Sequence, residues 1–190
     1  MIITRTLLRY TIGGGGTDLP AYYSQHGGFV VSAAIDKYMY ISVNRLIVED
    51  LIRLKYSKSE AAASPEAIDH DIVRNTLKLL GIEKAIEISS QADVPGGTGL
   101  GSSSSYAVGL LTALHALQRK HISTQDLAEL ACHVEIDLCG KPIGKQDQYV
   151  AAYGGVNCYH FHPDGTVETS PLKISTETRY GLEDNLLLFF

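Results

Sequence analysis

The chain has 190 residues, of which 45% are hydrophobic and 19% charged, enough apolar material for a packed domain and too much for disorder. A formal net charge of −5, with no basic cluster beyond the pair Arg119-Lys120, excludes the usual kind of nucleic-acid binder. Cys132, Cys139 and Cys158 form no CxxC spacing, which argues against a disulfide framework and a zinc site. There is no signal-peptide pattern and no apolar run of about 18 residues, so a soluble cytoplasmic protein without a membrane partner is expected.

Residues 1–12 alternate polar and apolar side chains and read as a strand. A glycine turn, Gly13 to Gly16, follows and leads into Thr17-Asp18-Leu19-Pro20. Residues 28–34, 37–48 and 51–57 are rich in Val, Ile and Tyr and read as three strands. Ser64 and Pro65 have the chemistry of an N-cap and first helical position, so a helix is expected from there. Its apolar stripe is Ile68, Ile72, Leu77 and Leu80, and Gly81 ends it. Residues 84–92 read as another strand. A helix over Tyr106–Gln118 follows, then a second from about Thr124 to Leu138, capped by Ser123 or Thr124, with Asp126 in its first turn. A short helix over Lys145–Ala152 and a hairpin of 155–162 with 166–173 around Pro163-Asp164-Gly165 complete the pattern. Strands, helix, strand, helices and hairpin in that order make an α+β fold. The apolar run Leu186–Phe190 reads as a closing strand. Left at an edge, such a strand predicts self-association or cover by a partner.

The segment Pro95-Gly96-Gly97-Thr98-Gly99-Leu100-Gly101-Ser102-Ser103-Ser104-Ser105 joins a strand to an apolar helix. Glycines let backbone N–H groups converge on a bulky anion, and the helix adds its free amides and positive dipole end. The serines can cap the helix or offer hydroxyls to phosphate oxygens or a Mg²⁺ ion. A flexible linker is the plain alternative. Against it stand the shortness of the segment, its patterned neighbours and the buried-type Leu100 at its centre. Neither GxxxxGK[ST] nor GxGxxG occurs in it.

Pro-x-x-x-Gly-Leu-Gly-Ser-Ser-Ser resembles the second motif of the GHMP kinase superfamily, which includes galactokinase, homoserine kinase, mevalonate kinase and phosphomevalonate kinase. The resemblance implies an N-terminal domain like the second domain of ribosomal protein S5, followed by a ferredoxin-like domain. It implies ATP and Mg²⁺ as cofactors. It assigns Pro95, Gly96, Gly97, Gly99, Leu100, Gly101, Ser102, Ser103 and Ser104 to the ATP phosphates, with Ser103 also on the metal.

Two further stretches are similar to family motifs. Leu8-Arg9-Tyr10 through Asp18 looks like the first, with a basic residue ending a strand and a Thr-Asp nine residues later. The resemblance casts Arg9 as a catalytic cation at the transferring phosphoryl group, and Gly15, Gly16, Thr17 and Asp18 as the substrate contacts. The Gly-Gly-Gly-Thr-Asp form is similar to that of the branch acting on heptose phosphates and fucose. The departure is Thr6-Leu7, where the family usually has Ala-Pro. In the other stretch, Glu135 on a helix and Asp147 twelve residues on match a magnesium-binding carboxylate and a catalytic base. Taken alone, each carboxylate would pass for a solvated helix side chain.

The resemblance spans residues 1–190 and implies one ATP-binding domain, with the family's C-terminal glycine motif and ferredoxin-like domain absent. The function it implies is an ATP:sugar phosphotransferase acting on the anomeric hydroxyl of D-glycero-D-manno-heptose 7-phosphate. The alternatives are an anomeric kinase for an unphosphorylated sugar such as fucose, and a non-catalytic unit that binds nucleotide or sugar.

Overall fold

A computed structural model describes residues 1–187. The elements run β1 (Ile2–Gly13), α1 (Pro20–His26), β2 (Gly28–Arg45), β3 (Ile52–Lys55), β4 (Ser59–Ala62), α2 (Asp71–Leu79), β5 (Ile86–Ala92), α3 (Ser102–Leu117) and α4 (Thr124–Cys132). They continue with α5 (Gln146–Tyr153), β6 (Val156–Phe161), β7 (Val167–Pro171) and α6 (Thr176–Asp184). This is the mixed α+β architecture read from the pattern. No helix among the described residues is long and apolar enough to cross a membrane.

The seven strands form one sheet organised by β2. One edge of β2 pairs antiparallel with β1. The other pairs with β6 over Gly28–Ala33 and with β5 over Met39–Arg45. Beyond these, β3 joins β5 in parallel, β4 joins β3, and β7 joins β6. The two strands expected over 28–34 and 37–48 are therefore one. The polar Asp36-Lys37 pair that suggested a break is a bulge, where the β1 register jumps from Leu7 opposite Tyr38 to Leu8 opposite Ile35.

The inward-facing Met39, Ile41 and Val43 of β2 meet Leu110, Leu111 and Leu114 of α3 in the main core. Strand alternation puts these residues on one face, and helical spacing puts their partners on one stripe. A second core gathers Val30, Tyr149, Tyr159 and Phe161 under the other half of β2. Helices α3 and α5 both lie on β1 and β2, and α4 packs on both helices.

Other expectations change in detail. Ser64 makes no side-chain cap; Pro65–Ala67 is a 3₁₀ turn, and α2 begins at Asp71. Ser123, not Thr124, caps α4 by accepting from Asp126 N. The long helix expected from about Thr124 to Leu138 stops being α-helical after Cys132 and continues as a π-helical turn, His133–Leu138. Strand β4 and helix α6 were not foreseen. In place of a strand, Leu186 and Leu187 follow α6 in no regular element, and residues 188–190 lie outside the described range.

Candidate active site

The glycine turn is pinned at both ends and open between them. Asp93 bonds β2 at its start, its N donating to Tyr38 O (3.0 Å) and its carboxylate accepting from Tyr38 N (2.9 Å). Val94 and Leu100 bury their side chains with Leu8 of β1. Between them Pro95, Gly96, Gly97 and Gly99 are exposed, and a Cβ at any of these three glycines would meet nothing within 4 Å. Gly101 takes the left-handed conformation (φ 73°) and starts α3. Ser105 N bonds Gly101 O (2.9 Å), which leaves the amides of Ser102, Ser103 and Ser104 without acceptors inside the helix. Ser104 is fully buried with its hydroxyl unpaired, whereas Ser102 and Ser103 reach the surface. The turn thus has room for a large anion and N–H groups to hold it.

Arg9 and Asp147 meet beside this turn. Arg9 Nε bonds Asp147 Oδ1 at 2.6 Å, and Nη1 donates to Gly99 O at 2.8 Å. Arg9 N also donates to Leu100 O (3.0 Å), so the arginine is held by backbone and side chain together. A side chain at Gly101 would press on Arg9 Cγ at 3.0 Å and Asp147 Oδ2 at 3.4 Å, so the ion pair sits directly against the head of α3.

Glu135 lies in the π-helical turn and is fully buried. Its Oε1 accepts from Ser103 Oγ (2.8 Å) and Lys141 Nζ (3.2 Å), and its Oε2 from Gln148 Nε2 (2.7 Å). A buried carboxylate with an adjacent hydroxyl is the oxygen donor set that a hard divalent cation takes, with phosphate and water oxygens filling the remaining positions. No group of three His, Cys, Asp or Glu among the described residues forms a metal cage. The arrangement therefore fits a Mg²⁺ carried in with phosphates.

Asp18 is also nearly inaccessible, at 2% exposure. It accepts from Gly16 N (3.2 Å), Gln146 N (3.0 Å) and Gln146 Nε2 (3.1 Å). Gln146 in turn accepts from Thr11 Oγ1 at 2.7 Å. A Cβ at Gly144 would lie 2.0 Å from Asp18 Oδ2, so only glycine lets this loop wrap the carboxylate. The Thr17 hydroxyl is committed locally, donating to Gly14 O (2.8 Å) and accepting from Phe29 N (3.0 Å). Gly15 and Gly16 are exposed. Gly16, Arg9, Asp18, Ile143 and Asp147 border a basin of about 210 Å³.

On the other side of the glycine turn lies a cleft of about 720 Å³, reaching from Gly96 and Ser103 to Tyr56, His70 and Tyr106. His70 stacks on Tyr106 (4.8 Å) and meets Tyr56 edge-on (4.9 Å). Burial lowers the pKa of His70, outweighing the opposing pull of Asp71. A part-buried network supports α5. Tyr149 donates to Glu129, and Lys145 Nζ bonds Glu129 Oε2 (3.0 Å) and Gly165 O (2.9 Å). Burial, and then the bond to Glu129, push the Tyr149 hydroxyl pKa up.

Residues 68–155 match the family described as GHMP kinases N terminal domain. Those residues are the chain's likeness to a GHMP kinase N-terminal domain. Over its whole length it is 30% identical to D-glycero-alpha-D-manno-heptose 7-phosphate kinase of Campylobacter jejuni, of which it spans 59%. It is 26% identical to the bifunctional fucokinase/GDP-fucose pyrophosphorylase of Arabidopsis thaliana over 96% of the chain and 19% of that protein. The crystal structure of a D-glycero-D-manno-heptose 1-phosphate kinase from Bacteroides thetaiotaomicron superposes with a TM-score of 0.85 at 26% identity, covering 96% of this chain and 62% of that one. The chain thus spans about three-fifths of the length of these heptose-phosphate kinases.

Sequence reasoning missed Lys141, Gln146 and Gln148 as individual contacts of this site. Gln148 carried a signal, a polar side chain one residue before the apolar Tyr149-Val150-Ala151 run of α5. Lys141 carried none, because its place beside Glu135 depends on the π-helical turn.

Proposed function

We propose that this domain is the nucleotide-binding and phosphoryl-transfer half of an ATP-dependent sugar kinase, acting on the anomeric hydroxyl of a heptose 7-phosphate. The observation that carries this reading is the Arg9–Asp147 pair, 2.6 Å long, set against the open glycine turn at the head of α3. The glycine-turn amides and the first amides of α3 receive phosphate oxygens, and the 720 Å³ cleft is large enough for the nucleoside. Ser103 and Glu135 would hold Mg²⁺, which would supply positive charge beside the phosphates. Asp147 accepts the proton of the acceptor hydroxyl as the hydroxyl oxygen bonds the γ-phosphorus of ATP, whose bond to the bridging oxygen breaks to release ADP. Arg9 orients that carboxylate and offers positive charge where the transferring group passes.

The acceptor lies in the basin beside Asp147. At about 210 Å³ the basin is smaller than the ~300–1,000 Å³ usual for a small-molecule pocket, which supports its completion by a second domain of ferredoxin-like type. The heptose-phosphate relatives support the choice of acceptor. The fucokinase relative keeps an unphosphorylated sugar as the second reading.

Two measurements test this. Saturating Mg·ATP, at about 100 times its dissociation constant, stabilises the chain by about 2.7 kcal/mol in thermal melts. In a coupled ADP-release assay of an active, full-length version across sugars and sugar phosphates, Asp147→Asn lowers kcat by about 10²–10⁴, while the thermal shift of the chain with Mg·ATP persists. A melting temperature indifferent to Mg·ATP removes the cradle, and an Asp147→Asn variant with most of its kcat removes the base.

A further inference from the structure

Lys141 stands outside the motifs, yet it shares an oxygen with the proposed metal site. Its Nζ lies 3.2 Å from Glu135 Oε1, the same oxygen that accepts from Ser103 Oγ. Glu135 has no solvent contact, whereas the lysine side chain is 24% exposed and borders the cleft beside Ser103 and Gly97. The backbone holds the lysine there, with Lys141 N donating to Glu135 O at 3.0 Å. A buried carboxylate without a cation is costly, and Lys141 supplies that cation in the protein alone. An ammonium on a flexible stem at the rim of a phosphate cradle can also turn to a phosphate oxygen once another cation takes over the carboxylate.

We propose that Lys141 is a phosphate-binding residue of the nucleotide site that occupies Glu135 until a divalent cation arrives with the nucleotide. The site thereby refuses free Mg²⁺, because the ion must compete with a tethered ammonium. It still accepts a nucleotide without metal, because the ammonium can face the phosphates. This rests on the phosphate-cradle reading above, and the two are separable by experiment.

Binding of ADP with EDTA, binding of ADP with Mg²⁺, and thermal shifts with MgCl₂ alone are measured on the unsubstituted chain and on Lys141→Gln, Lys141→Arg and Glu135→Gln. Lys141→Gln is expected to weaken metal-free ADP binding about tenfold or more, the scale of one charged hydrogen bond, and to gain a thermal shift with MgCl₂ alone. Lys141→Arg keeps the charge and stays within about threefold of the unsubstituted chain, a difference well under one such bond. Glu135→Gln releases the ammonium and binds metal-free ADP more tightly. Should Lys141→Gln fail to fold, the Glu135→Gln/Lys141→Gln double variant removes the unpaired carboxylate and must bind metal-free ADP more weakly than Glu135→Gln alone. Metal-free binding unchanged by loss of the lysine, or weakened in Glu135→Gln, overturns the role of Lys141 alone. No ADP binding under any condition by the unsubstituted chain overturns the cradle as well.

Discussion

Asp18 is a substrate contact in the family reading, and both oxygens of its carboxylate also accept hydrogen bonds inside the protein. Three N–H donors, two of them from Gln146, fix the entry to α5 one residue before Asp147. Asp18→Asn sets an amide hydrogen against a donor and weakens charged hydrogen bonds worth about 1.5–3 kcal/mol each, so a loss of about 2–4 kcal/mol is expected in urea unfolding. A loss below about 1 kcal/mol would free Asp18 for the acceptor after all. His70 gives a second test. Its folded pKa lies below the ordinary value of about 6.5 because it is buried. Above pH ~6.5 both states are neutral there. As pH falls through that value the unfolded chain takes up the proton first, so stability drops until the folded pKa is reached. Melting temperatures between pH 7.5 and 5 should fall less steeply in His70→Gln. An equal slope would assign the acid sensitivity elsewhere. At this scale the four residues that meet as Arg9 with Asp147 and Ser103 with Glu135 could be picked out, because each sits at a fixed spacing in a motif. The donors around Glu135 and Asp18 could not, since nothing local to Lys141 or Gln146 announces a partner six or 128 residues away.

Among the elements, the π-helical turn distinguishes a sequence pattern from a structure. Residues 124–138 carry an ordinary helical stripe, and the extra residue per turn shows in backbone bonds such as that from Cys139 N to Val134 O (2.9 Å). Such insertions change the direction of the side chains they carry, here the buried Glu135. Asp137, exposed and paired only with His133, is a suitable place to remove the extra residue. Deleting Asp137 is expected to abolish the thermal shift with Mg·ATP, while Asp137→Ala keeps it. Equal shifts would show that the bulge does not set the proposed metal ligand. The missed elements have their own reasons. Helix α6 buries no residue, so it has no apolar stripe to read, although Ser175 caps it by accepting from Thr178 N. Strand β4 is four residues long and held by β3 alone. The single long β2 read as two strands because a bulge and a turn share the same polar composition.

At the level of the whole molecule, both cores hang on β2, the first under Met39–Val43 and the second under Val30. Loss of either half strips cover from a strand the other half needs, so unfolding is expected to be one cooperative step. Far-UV circular dichroism and tyrosine fluorescence should trace coincident urea transitions. Separate midpoints would show two independent units.

The Arg9–Asp147 bond joins residues 138 positions apart. A ribosome adding about 5–20 residues per second takes roughly 7–30 s to go from the first partner to the second. Throughout that interval Arg9 has no carboxylate to meet and the glycine turn cannot receive its side of the pair. The pair that closes over the head of α3 is therefore among the last long-range contacts these residues can make, and it forms only after α5 has left the exit tunnel.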